Sequence, residues 1–150
     1  MSSHQVRIHA SAAVVYRLLS DVGGWRIWNR RVAFSELDGD VQIGGRGVLY
    51  LRSIPWLPWS LHIEALTAEQ NLTICANCLS VHVHICFDVQ SDPSSEYVLL
   101  RGVLRSDSLL GRLASSKLVP FWHGFLAGAL AGVRYAAESV SAAETHHRVK

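Results

Sequence analysis

The order of elements constrains this chain most: a short amphipathic helix and a tryptophan-rich segment come early, strand-like stretches fill the middle, and one long apolar helix closes it. A sheet that must bury one face against a single helix has few architectures open to it. Residues 4–9 alternate, with Val6 and Ile8 on one side and Gln5, Arg7 and His9 on the other, which predicts a strand. Ser11 suits a helix N-cap, and Val14, Val15, Leu18 and Leu19 then recur at helical spacing. Asp21 and Gly23-Gly24 end that helix, and Trp25-Arg-Ile-Trp28-Asn29 follows. Two tryptophans in four residues carry more apolar area than a surface turn needs.

Further strands are predicted at 32–38, 48–53, 60–68, 72–77, 80–90 and 97–105. Asp38-Gly39-Asp40 and Asp92-Pro93-Ser94-Ser95 supply turn and loop signals. Seven strands with hairpin-length connections point to an antiparallel sheet. Leu118, Trp122, Phe125, Leu126, Ala129, Val133, Ala137 and Val140 form the stripe of the closing helix, which Pro120 should kink or restart. Gly124, Gly128 and Gly132 line one side of it. They permit a close approach to the sheet, leave room for a ligand, or form a helix–helix contact. The polar tail, 142–150, is expected to fray beyond an ordered core of about 4–140.

A chain of 150 residues, 49% of them hydrophobic, suits one domain, 1–150, with a substantial core. The formal charge is only +2, and Arg30-Arg31 is the one adjacent basic pair, so no nucleic-acid partner is expected. Three cysteines fit a reducing compartment better than a disulfide framework. The N-terminus lacks the basic-then-apolar pattern of a secretory signal. The longest uncharged stretch, 118–133, falls short of the roughly 20 residues a bilayer span requires. A cytoplasmic protein is the expectation.

The motifs Ala10-Ser-Ala-Ala-Val14-Val15-Tyr16, Leu18-Leu-Ser-Asp21, Trp25-x-x-Trp28-Asn29, Asp38-Gly39 with Gly44, and Val133-Arg-Tyr-Ala-Ala-Glu138 resemble the START-like (SRPBCC) superfamily. The polyketide cyclase/dehydrase branch is the nearest match. The resemblance spans roughly residues 4–138. It implies an α+β helix-grip fold: a seven-stranded antiparallel curved sheet around a long C-terminal helix, with two short helices after the first strand. It also implies a deep apolar pocket between sheet and helix. Members bind lipids, sterols, polyketides or quinones, and some catalyse cyclisation or dehydration. No catalytic residue carries over from the resemblance, because the superfamily has no common catalytic motif.

His123, beside Trp122, is the leading general acid/base candidate if it turns inward, since imidazole titrates near neutrality. Tyr50 and Arg101 are the other catalytic candidates. The expected ligand contacts are Trp25, Trp28, Asn29, Trp56, Trp59, His62, Tyr97, Trp122, Phe125 and Leu126; Arg52 and Glu64 share their register-dependent uncertainty of facing. Ile54-Pro-Trp56-Leu57-Pro58-Trp59 reads as a stiff apolar hairpin tip, either folded over the core edge or serving as a lid that touches ligand or membrane. Cys75-Ala-Asn-Cys78 with His82, His84 and Cys86 superficially has metal-site spacing. Strand alternation sends the two outer cysteines of Cys75-x-x-Cys78 to opposite faces and puts His82 and His84 outward, so no metal is expected and no cofactor is assigned.

The function these features favour is binding of an apolar, cyclic or polyketide-like small molecule. Any catalysis would be cofactor-independent cyclisation or dehydration of the lyase or isomerase type. The rival is a non-catalytic lipid or quinone carrier with transient membrane contact through the Trp56/Trp59 loop. Either a monomer or a homodimer is compatible with the sequence.

Overall fold

The computed structural model describes residues 2–79, 81–106 and 115–148. Strand β1 (Ser2–Ile8) leads into α1 (Ala12–Ser20), a 3-10 turn (Val22–Gly24) and α2 (Trp25–Trp28). Six strands follow: β2 (Val32–Leu37), β3 (Arg46–Leu51), β4 (Ile54–Thr67), β5 (Asn71–Cys78), β6 (Val81–Ser91) and β7 (Val98–Ser106). Helix α3 (Ser115–Arg148) closes the fold. The strands make one antiparallel sheet in the order β1-β7-β6-β5-β4-β3-β2. Because β1 and β2 occupy opposite edges, the segment containing α1 and α2 carries the chain from one edge to the other.

That crossing is fixed by a few polar contacts around apolar anchors. Ser11 Oγ accepts the Val14 N–H at 3.2 Å, capping α1 as its sequence predicts. Val14, Val15 and Leu19 are buried and Leu18 is half-buried. The Asp21 N–H donates to the Arg17 carbonyl and ends the helix. Trp25 then donates its indole N–H to the Leu19 carbonyl at 2.9 Å, tying α2 back to α1 inside the core. Ser35 Oγ donates to the Val22 carbonyl at 2.5 Å, holding the 3-10 turn against β2.

The alternation expected of β6 is present: Val83, Ile85, Phe87 and Val89 are buried, while His82, His84 and Cys86 face outward. On β5 the inward set is Leu72, Ile74, Ala76 and Cys78. Helix α3 lies across this concave face with Trp122, Phe125, Leu126, Ala129, Leu130, Val133 and Ala137 buried. Its approach to β7 depends on Gly102, where an added Cβ would stand 2.6 Å from Leu126 Cδ1.

Three expectations change. Residues 54–59 are not a loop, because β4 begins at Ile54. Tyr50 pairs with Pro58 while Leu51 pairs with Ile54, so the intervening residues bulge. A bulge tolerates Pro55, whose missing N–H would break a regular ladder. Helix α3 runs through Pro120 without a restart; placed this early in the helix, the proline removes a single backbone bond. It also continues to Arg148 instead of fraying after residue 142.

The glycine ridge meets the loop after α2, not the sheet. A Cβ at Gly132 would overlap the Trp28 carbonyl oxygen, and one at Gly124 would stand 2.7 Å from Arg31 Nη2. At Gly128 the nearest such atom is Arg31 Nε, 4.0 Å away. Gly132→Ala should therefore destabilise the fold by about 1–3 kcal/mol through overpacking. Gly128→Ala should be neutral or stabilising by up to about 1 kcal/mol from helix propensity. Urea titration of the two variants beside the wild type checks this contrast.

Candidate functional site

Between the concave face and α3 the side chains form an aromatic and aliphatic interior. Trp59 from β4 meets Trp122 from α3 edge-on, with ring centroids 5.1 Å apart. Trp122 also contacts Phe125 at 5.2 Å and Phe121 at 5.3 Å. Trp59 is 4% exposed and Trp122 2%, and Leu61, Ile63, Ile85, Phe87 and Leu100 are buried in the same core. The chemistry of this region lies in its polar atoms. The indole N–H groups of Trp59 and Trp122, and the Asn29 Nδ2, are buried with no acceptor among the described residues. Leaving a buried donor unpaired costs about 1–3 kcal/mol, and native interiors rarely do so. Two such donors sit on touching rings.

The structure gathers only some of the predicted site residues there. Trp59, Trp122, Phe125 and Leu126 converge at the sheet–helix interface. Trp25 is buried, but its indole is already satisfied by Leu19, so it anchors the fold. Asn29 accepts the Arg31 N–H on Oδ1 at 3.1 Å and keeps its amide donors inward. Trp28 is half-buried against Trp25 and lines an outer groove of about 840 Å³ with Ile27, Arg31, Gly132 and Tyr135.

The remaining candidates face away from the interior. His123 is exposed and packs on His4 of β1, with the ring centroids 4.3 Å apart. One position from Trp122 is enough to rotate it off the buried stripe. Tyr50 packs beside exposed Phe34 on the outer face, and Arg101 is exposed, its Nε 3.4 Å from Ser3 Oγ. Tyr97 is 50% exposed and meets His9 edge-on. His62 and Glu64 also face outward on β4, opposite buried Leu61 and Ile63. Trp56 is 77% exposed while Trp59 is buried, so the two tryptophans of the supposed tip do not share a surface. Burial raises the Cys78 thiol above its usual range, which keeps it protonated at neutral pH.

Sequence reasoning passed over Phe121 and Arg31. The Arg31 guanidinium lies 5.9 Å from the Phe121 ring centroid, a cation–π contact that the gap in sequence conceals.

No known family model matches the sequence, and no curated protein matches it. Solved structures do. A Thermus thermophilus protein, TTHA0849, aligns at TM-score 0.75 and 14% identity, over 93% of this chain and 97% of its own. The ZhuI aromatase/cyclase from a Streptomyces species aligns at 0.71 and 17%, over 91% and 92%. A START superfamily protein from Mycobacterium smegmatis aligns at 0.65 and 16%, over 90% and 97%. The fold is START-like. Its solved neighbours include aromatase/cyclases, and the sheet, short helices and closing helix are those the sequence motifs imply. Among the described residues no helix is long and apolar enough to cross a membrane.

If Trp25 anchors the START-like fold, Trp25→Phe should lower stability by about 1–3 kcal/mol, because it leaves the Leu19 carbonyl unpaired. Thermal unfolding of the variant beside the wild type measures the loss.

Proposed function

We propose that this START-like domain binds an apolar small molecule bearing one or two carbonyl-type oxygens, of the polyketide-like or quinone-like kind, between the concave sheet and α3. The observation that carries this reading is the pair of unsatisfied indole donors on Trp59 and Trp122 inside an otherwise apolar interior. Desolvation of the rings would supply most of the affinity, at about 25 cal/mol per Å² of apolar area buried. The two N–H groups would orient the oxygens.

Binding is favoured over cyclisation or dehydration. Moving protons needs a titratable group within reach of the substrate. Among the described residues the buried Asn29 and Ser35 do not titrate, and the one thiol turned into the core, Cys78, is held protonated by its burial. His123, Tyr50 and Arg101 lie outside the concave face. The carrier reading keeps its apolar ligand, but its membrane contact rests on Trp56 alone.

Native mass spectrometry of the protein purified from its own host should reveal a bound organic molecule of a few hundred daltons, on the scale of START-type cavities. Titration with that molecule should show Trp122→Phe weakened about fivefold, the worth of one hydrogen bond at about 1 kcal/mol. Trp56→Phe should bind like the wild type. Equal affinity in all three proteins would remove the indole donors from the site. His123→Ala should also leave affinity unchanged.

A further inference from the structure

The convex face carries a cluster that no part of the ligand-binding reading uses. Ladder register lines up one row of side chains across it: Arg46 opposite His62, His62 opposite Cys75, Cys75 opposite His84, and His84 opposite Arg105. Glu64, two residues beyond His62 on β4, places Oε2 3.0 Å from His84 Nδ1. Cys75 faces outward with this row yet is only 5% exposed. A carboxylate oxygen of Glu64, the Cys75 Sγ and a ring nitrogen of His84 all lie within 4.8 Å of one another. They border a surface depression of about 680 Å³ that Asp38, Asn77 and His82 also line.

We propose that Glu64, Cys75 and His84 bind one divalent transition-metal ion of the zinc class. Thiolate, imidazole and carboxylate are the donors zinc accepts in tetrahedral sites. Metal–ligand bonds of roughly 2.0–2.3 Å put the donors of such a site about 3.3–3.7 Å apart. The Glu64–His84 spacing needs to open by only a few tenths of an ångström to admit the ion. On binding, Cys75 releases its thiol proton to solvent and its sulfur lone pair forms the metal bond. That bond replaces the hydrogen bond Cys75 now donates to Asn77 Oδ1 at 3.2 Å. One thiolate and one carboxylate balance the two positive charges of the ion.

The three donors stand on three adjacent strands: the ladder pairs Cys75 with His84, and Glu64 reaches them from the irregularity between Ile63 and Ala65 on β4. The fourth position opens onto the depression and takes water. Asn77 Oδ1 also contacts His82 Nδ1, placing a second polar layer beside the sulfur. Cys78 and Cys86 take no part: Cys78 is turned into the core, and Cys86 Sγ lies beside Asn71 Nδ2 at 3.3 Å.

Cobalt(II) titration of the natural sequence, without an affinity tag, tests the proposal by absorption spectroscopy. One equivalent should bind with a thiolate-to-cobalt charge-transfer band in the near ultraviolet, and zinc should displace it. Cys75→Ser should abolish the band and weaken zinc binding at least tenfold in competition with a chromophoric chelator. Glu64→Gln, a surface change that leaves the core untouched, should weaken it by a similar order, whereas Cys86→Ser should match the wild type. Zinc should raise the Tm of the wild type and not that of Cys75→Ser, with circular dichroism confirming that both are folded. Cobalt bound without a sulfur band, binding unchanged in Cys75→Ser or Glu64→Gln, or several weak equivalents spread over the eight histidines would each overturn the assignment.

Discussion

The seating of α3 governs the rest of the molecule. The helix is pressed on one flank against β7 where Gly102 has no side chain, and on another against the Trp28 carbonyl where Gly132 has none. Interiors are close-packed, so a shift of even one methyl group at either contact is felt by neighbouring side chains. The position of Trp122 opposite Trp59, and with it the donor pair that defines the interior, follows from those two approaches. The loop from Trp28 to Arg31 is thus as much part of the frame as the sheet.

The sequence carried the architecture well because one-sided burial leaves a period in the chain. On β6 the alternation alone distinguished Val83, Ile85 and Phe87 from His82 and His84, and the same reasoning separated Cys75 from Cys78. The capping serine and the α1 stripe were equally plain. Residues 54–59 escaped because two prolines and two tryptophans obscure a strand whose irregular pairing becomes visible only beside β3. His123 shows a different limit: on a helix, adjacent residues point about 100° apart, so closeness to Trp122 in sequence says little about a shared surface.

Cross-strand register was the information most thoroughly hidden. Glu64, Cys75 and His84 are separated along the chain by intervals that match no local motif; Cys75 and His84 meet through the β5–β6 register, and Glu64 joins them at an irregularity in the β4–β5 pairing. Inner and outer faces of this sheet thus differ in kind: the inner is almost wholly hydrocarbon and indole, the outer rich in imidazole, thiol and carboxylate.

The return of β1 to the far edge has a consequence for how the chain acquires its shape. Ile8 pairs with Val98 and Ser2 with Leu104, so the first strand of the sheet in chain order docks onto the last. Every hairpin from β2 to β7 joins close neighbours, whereas this closing pair spans most of the sequence. Loop-closure entropy makes such long-range pairing a late and slow event. The apolar side of β1, carrying Val6 and Ile8, is covered only when that long loop closes.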